Sequence, residues 1–148
     1  MGQVKNPGLY FAQATERISE IIYRAGDIDQ KGSKNFVQII RGENIIIADL
    51  ESFVQKGDKD SNPFVRENDV VFVPLKGSCV NIYGEVNLAG AYEIKEGDDI
   101  KKLLERTGGL TEKAAYLDEV KIKRIVKNKK EKVLITLKLQ YIIDGKSN

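Results

Sequence analysis

The feature that most constrains this chain is that one pattern occurs in it twice. Shifted by 82 residues, Gly2-Gln3-Val4-Lys5-Asn6-Pro7-Gly8-Leu9-Tyr10 lies over Gly84-Glu85-Val86-Asn87-Leu88-Ala89-Gly90-Ala91-Tyr92, and both read G-x-V-x-x-x-G-x-Y. The same shift pairs Ile18 with Ile100, Arg24 with Arg106 and Gly26 with Gly108, so that 7 of 25 positions from 2 to 26 coincide. With one residue inserted in the second copy, Val37 then aligns with Val120 and Arg41 with Arg124. Self-similarity that keeps glycines and apolar periodicity in register predicts one module built twice, with boundaries at 1–76 and 77–148.

Each copy predicts the same order of elements. The G-x-V strand end turns at Gly8 or Gly90 into a short strand carrying Tyr10 or Tyr92, so a hairpin opens each module. Ile18, Ile21, Ile22 and Ala25, and in the second copy Ile100, Leu103, Leu104 and Thr107, recur at i, i+3, i+4, i+7 and place one apolar stripe on a helix. Glu16, and Asp98 with Asp99, are expected in the first helical turn, where the macrodipole favours negative charge, and Gly26 and Gly108 stop the helices. Two strand pairs follow: Phe36 to Arg41 with Ile45 to Asp49, and Val120 to Val126 with Val133 to Leu137 across the polar turn Lys127 to Lys132. Leu50, Phe53 and Val54, and Leu139, Ile142 and Ile143, suggest a helical turn after each pair. Val70 to Pro74 closes the first copy as a buried strand ended by its proline.

The copies differ at their ends. Cys79 to Tyr83 precede Gly84, whereas only Met1 precedes Gly2, and no second-copy strand answers Val70 to Pro74. The expectation is a piece of a longer protein, or strands supplied by another chain, because a sheet missing a member leaves an unpaired edge.

Composition removes whole classes of chemistry. The 148 residues include no histidine and one cysteine, Cys79. This excludes Ser/His and Cys/His nucleophile arrangements and zinc sites built from His and Cys. No pair of carboxylates can be assigned acid and base roles, so no catalytic constellation emerges and a non-enzyme is expected, without cofactor or metal. Asp58, Asp60 and Asn62 open like a calcium loop, but Pro63 stands where that loop needs glycine. A formal charge of +2 names no ligand. No apolar run approaches the roughly 20 residues that span a bilayer.

The string Gly-x-Val-x-Asn-Pro-Gly-x-Tyr, the helix ending Arg24-Ala25-Gly26, Val37-x-Ile39-x-Arg41, Asn62-Pro63 and Asn68-Asp69-Val70-Val71-Phe72-Val73-Pro74 resemble the soluble-ligand-binding β-grasp (SLBB) module. The second copy repeats it as Gly84-Glu85-Val86, Gly90-Ala91-Tyr92, Thr107-Gly108-Gly109-Leu110-Thr111 and Val120-x-Ile122-x-Arg124. The resemblance implies an α+β fold of two tandem β-grasp (ubiquitin-like) modules, each a mixed sheet packed on one main helix. Tandem SLBB modules are most characteristic of outer-membrane polysaccharide export proteins. The resemblance therefore implies a periplasmic, non-catalytic assembly role, with self-association or other export components as partners and a polysaccharide as cargo. Similar modules serve DNA uptake and small-ligand carriage, so a soluble-glycan or small-ligand module and a DNA-contacting module stay as alternatives.

The candidate contact residues are few, and each has a structural alternative. Tyr10 and Tyr92 hold matching places after the turn glycines, where a ring could stack on a sugar or simply pack. Arg41 and Arg124 close equivalent strands and could grip carboxylates or salt-bridge within the fold. Lys127, Lys129 and Lys130 crown the densest basic stretch, Lys121 to Lys132, either as a contact for an acidic polymer or as solvated charges that discourage edge pairing. No aromatics interleave with these lysines to stack bases, which counts against nucleic acid.

Overall fold

The apolar stripe beginning at Ile18 becomes helix α1 (Ile18–Arg24) in a computed structural model that describes residues 1–116, 119–125 and 132–143. These fall into two compact units, Met1–Cys79 and Val80–Asn148. The architecture is mixed α+β, with short helices against small antiparallel sheets.

In the first unit, Ile18, Ile21, Ile22 and Ala25 are all buried, as their spacing requires. They pack with Val37 and Ile39 of β1 (Val37–Arg41), Ala48 of β2 (Asn44–Ala48), Leu50 of α2 (Leu50–Lys56) and Val73, which follows β3 (Val70–Phe72). The sheet runs β2-β1-β3, antiparallel, with Arg41 opposite Asn44 across the tight turn. On the far side of β3 a parallel bridge joins Gly2 to Val73. The Gln3 N–H donates to the Val73 carbonyl at 2.8 Å and the Val73 N–H to the Met1 carbonyl at 3.0 Å, so the G-x-V segment extends the sheet in the parallel sense.

Glu16 lies outside the helix it was expected to begin. The N-cap is Arg17, whose side chain makes no capping bond, and α1 is capped from elsewhere in the chain. Glu20 reaches back to the Arg17 N–H at 2.6 Å, the carbonyl of Pro63 accepts from the Ile18 N–H and the Asn62 side chain accepts from the Ser19 N–H at 3.1 Å. Three of the donors that a helix start leaves unsatisfied are thus met.

The second unit repeats part of this plan. Strand β4 (Cys79–Ile82) pairs with β5 (Gly90–Glu93), and α3 (Ile100–Arg106) follows with Asp99 as its N-cap, accepting from the Lys102 N–H at 2.8 Å. Here too the acidic pair sits at and before the cap instead of within the first turn. Strands β6 (Glu119–Ile125) and β7 (Lys132–Lys138) pair antiparallel with Arg124 opposite Val133, and α4 (Leu139–Ile143) buries Ile142. The turn expected over Lys127 to Lys132 lies, but for its last residue, outside the described residues.

The expected opening hairpin forms in only one unit. Tyr92 sits in β5 against β4, whereas the segment around Tyr10 is extended chain belonging to no strand. The physical reason is the partner: among the described residues no strand lies beside Tyr10's segment, and a strand forms only where another pairs with it.

Candidate functional site

Around each G-x-V-x-x-x-G-x-Y stretch the same bonds recur, displaced by 82 residues. The Tyr10 hydroxyl donates to the Asn6 carbonyl at 2.6 Å, and the Tyr92 hydroxyl to the Leu88 carbonyl at 2.7 Å. The Asn6 N–H donates to the Ala25 carbonyl and the Leu88 N–H to that of Thr107, both at 2.8 Å. Antiparallel bridges join Val4 to Ile28 and Val86 to Leu110. Gly26 and Gly108, at φ +80° and +78°, follow the helix caps in the left-handed conformation that glycine tolerates. At Gly26 that backbone strains any side chain, and a Cβ would also come within 2.6 Å of Asn6 Nδ2 and 3.1 Å of Lys5 Cβ.

An arginine latch completes the frame. Arg24 donates to the Phe11 carbonyl at 2.9 Å and pairs with Glu16 at 3.1 Å. Arg106 donates to the Glu93 carbonyl at 2.8 Å and pairs with Asp98 at 2.9 Å. Each carboxylate also accepts the N–H three residues before it, from Gln13 and from Lys95. Burial separates the two latches: the Arg24 and Glu16 side chains are 41% and 24% exposed, those of Arg106 and Asp98 only 7% and 8%. The 82-residue shift sets Arg24 over Arg106, and neither arginine is among the candidate contact residues. The signal was available, because each arginine has an acid eight residues before it.

The candidate contact residues are placed differently from one another. Tyr92 is 6% exposed, with Arg106 over its ring at 5.6 Å, and Tyr10 packs on the first core with its hydroxyl bonded, so both rings serve packing in this structure. Arg41 is held in a bidentate grip: Nε and Nη2 donate to the two oxygens of Asp69 at 2.8 and 2.7 Å, and Nη2 also reaches the Phe64 carbonyl. That grip raises the Arg41 pKa, chiefly through its hydrogen bond to Asp69. It also holds the Asp69 carboxyl below the usual carboxylate range, with further help from the Arg66 N–H. Arg124, by contrast, is exposed, and among the described residues nothing engages its guanidinium. Lys121 and Lys123 beside it are exposed as well. Lys127, Lys129 and Lys130 lie outside the described residues.

The would-be calcium residues are turned to other work. Asn62 is fully buried, and its Nδ2 donates to Ser19 Oγ at 2.8 Å. Its carbonyl accepts from Arg17, which lies 4.0 Å over the Phe64 ring. Asp58 bonds Ser61 Oγ and the Asp60 N–H; the Ser61 bond is the main reason its carboxyl is held below the ordinary value. Among the described residues no group of three or more His, Cys, Asp or Glu side chains could hold a metal.

A shallow depression of about 400 Å³ lies on the exposed side of α1, lined by Glu16, Ser19, Glu20, Tyr23 and Arg24. Both glutamates in it are already engaged, while the Tyr23 ring is 78% exposed. Among the described residues no helix is long and apolar enough to cross a membrane.

Against this geometry, the family model described as SLBB domain matches residues 79–135, running from β4 into β7. Residues 79–135 are thus an SLBB domain, a class that suggests soluble-ligand binding. No curated protein matches the chain.

Proposed function

We propose that the chain is a pair of SLBB modules acting without catalysis in the periplasmic part of a polysaccharide export channel protein, where its surfaces assemble subunits. The observation that carries this reading is the recurrence around Tyr10 of the bonds that surround Tyr92 in the matched SLBB domain, latch and helix-stopping glycine included. That recurrence supports extending the module to residues 1–76. The absence of histidine agrees with a role in contacts and not in acyl transfer. The exposed cations Lys121, Lys123 and Arg124 supply a surface that suits an acidic polymer or an acidic neighbour.

A second reading, binding of a soluble glycan, is favoured by one observation, the depression beside the exposed Tyr23 ring. Sedimentation velocity across a concentration series, with and without alginate as an acidic polysaccharide and dextran as a neutral one, separates the two. Assembly predicts oligomers that grow with protein concentration in either buffer. A strict monomer that binds one polysaccharide saturably would overturn the assembly reading.

A further inference from the structure

The two units treat one equivalent strand differently. Setting Arg41 over Arg124 sets β2 over β7, because Arg41 lies opposite Asn44 and Arg124 opposite Val133. Among the described residues each is an outer strand: β2 ends the order β2-β1-β3, and β7 pairs with β6 alone. An outer strand offers its free backbone groups to any other chain, and lysine is a common guard against that. β7 carries Lys132 and Lys138 at its two ends, with Thr136 between them. β2 reads Asn44-Ile45-Ile46-Ile47-Ala48, with no charge, no proline and no bulge. Where β7 has Thr136, β2 has Ile47, which is 50% exposed, and Ile45 beside it is 62% exposed.

The register fixes which backbone groups of β2 are free. Gly42, at φ +59°, and Glu43 make a two-residue turn, so Arg41 and Asn44 exchange the bonds that close it. Along an antiparallel pair, bonded and non-bonded positions alternate. Ile46 is therefore bonded to Ile39, whereas the N–H and C=O of Ile45 and of Ile47 point away from β1. Among the described residues no hydrogen bond or bridge reaches either residue from that side. Ile46 packs on the core, so the Ile45 and Ile47 side chains stand on the opposite face of the sheet, across from Ile40 and Gln38.

We propose that β2 pairs with β2 of a second copy of this chain, antiparallel about a two-fold axis through Ile46. In that register Ile46 faces Ile46, Ile45 faces Ile47 and Asn44 faces Ala48. It is the one antiparallel register in which Ile45 and Ile47 of each strand both meet a residue with free groups, so all four outward donors and acceptors of each β2 are satisfied. A slip of two residues either way leaves half of them unpaired. The occupant is a second copy because the strand complements itself: apolar meets apolar at the three central positions, and no like charges stand opposite one another within it. An edge of five residues buries far less than the roughly 1,200 Å² of a standing interface, so the pair forms by mass action and is not permanent. The inference deepens the assembly reading, on which it rests, by naming the surface, symmetry and register through which two subunits meet.

The test reads amide hydrogen exchange and sedimentation velocity of the full chain over a roughly hundredfold range of protein concentration. The Ile45 and Ile47 amides should slow about tenfold or more at the top of the range, in step with a sedimenting dimer, while the β7 amides do not slow. No strand residue in the seam is charged, so the dimer should persist in about 0.5 M sodium chloride, where contact through Lys121, Lys123 and Arg124 would weaken. Ile47→Lys gives β2 the guard it lacks and should abolish both signals, whereas Thr136→Lys, at the equivalent position of β7, should leave them unchanged. Protection of the Ile39 amide as in the parent shows that the Ile47→Lys sheet is intact. Oligomers that form without slowing Ile45 and Ile47, or that survive Ile47→Lys, overturn the proposal and leave the assembly reading standing. Equal slowing along β7 overturns it as well, because the association would then not select β2. A strict monomer at every concentration overturns both.

Discussion

Removing the latch arginine from each unit turns one interaction, repeated at two levels of burial, into a test of the frame. Arg106→Met keeps the apolar stem but removes the guanidinium that pairs with Asp98 at 2.9 Å and bonds the Glu93 carbonyl at 2.8 Å. With both side chains under a tenth exposed, the Asp98 carboxylate loses its cation without gaining much water. Breaking a buried pair from one side costs roughly 3–5 kcal/mol. Arg24→Met removes the same pair where the side chains are 41% and 24% exposed, and there solvent screening leaves about 1 kcal/mol or less. Converted to opening equilibria, about 3 kcal/mol is a factor of roughly 150 and about 1 kcal/mol a factor of roughly 5. Amide exchange resolved by residue measures the two units independently: α3 amides should exchange roughly a hundredfold faster in Arg106→Met, and α1 amides only a few-fold faster in Arg24→Met. Equal acceleration in both variants, or the larger effect at α1, would refute the claim that burial and not chemistry separates the latches.

Two further outcomes follow from side chains already described. The Asp69 carboxyl titrates below its ordinary value of 3.8, so its pairing with Arg41 stabilises the fold above that value and is lost as pH falls through the lowered folded pKa. Arg41→Met should therefore cost about 2–3 kcal/mol in urea unfolding at pH 7, with the gap to the parent narrowing in that acid window; a gap independent of pH would mean that the pair does not act as charges. Asn62→Ala deletes the cap on the Ser19 N–H and the bond to Ser19 Oγ inside the core, and should cost about 2 kcal/mol by the same measurement, whereas calcium should leave the parent's unfolding midpoint unmoved.

What the sequence disclosed was whatever depends on period and on glycine. The stripe from Ile18, the helix stops at Gly26 and Gly108, and the pairing of β1 with β2 follow from spacing alone and are found where spacing puts them. What it hid depends on distant partners. Asn62 falls in the local pattern D-x-D-x-N, which Pro63 already breaks as a calcium loop, but the work it does instead is set by Ser19, forty-three residues away in sequence. Glu16 has the charge that a first helical turn favours, yet it lies before α1, where it accepts from the Gln13 N–H and pairs with Arg24. The shared G-x-V-x-x-x-G-x-Y pattern predicts a strand at Tyr10 as at Tyr92, but a strand exists only where another pairs with it.

The comparison of the two copies also sorts residues by freedom to take on a role. Positions whose side chains hold the frame are alike in both: Tyr10 and Tyr92, Arg24 and Arg106, Glu16 and Asp98. Positions outside it differ in kind, with Leu9 against Ala91, Phe11 against Glu93 and Tyr23 against Glu105. Each of the first copy's three is an aromatic or aliphatic residue at least 78% exposed. The side chains that the two stretches share are engaged within the frame, and the positions where they differ lie outside those bonds. On that reasoning Tyr10 and Tyr92, which resemble sugar-stacking residues by type and by repetition, are scaffold, and the surface that distinguishes the first copy from the second is the apolar one around Phe11 and Tyr23.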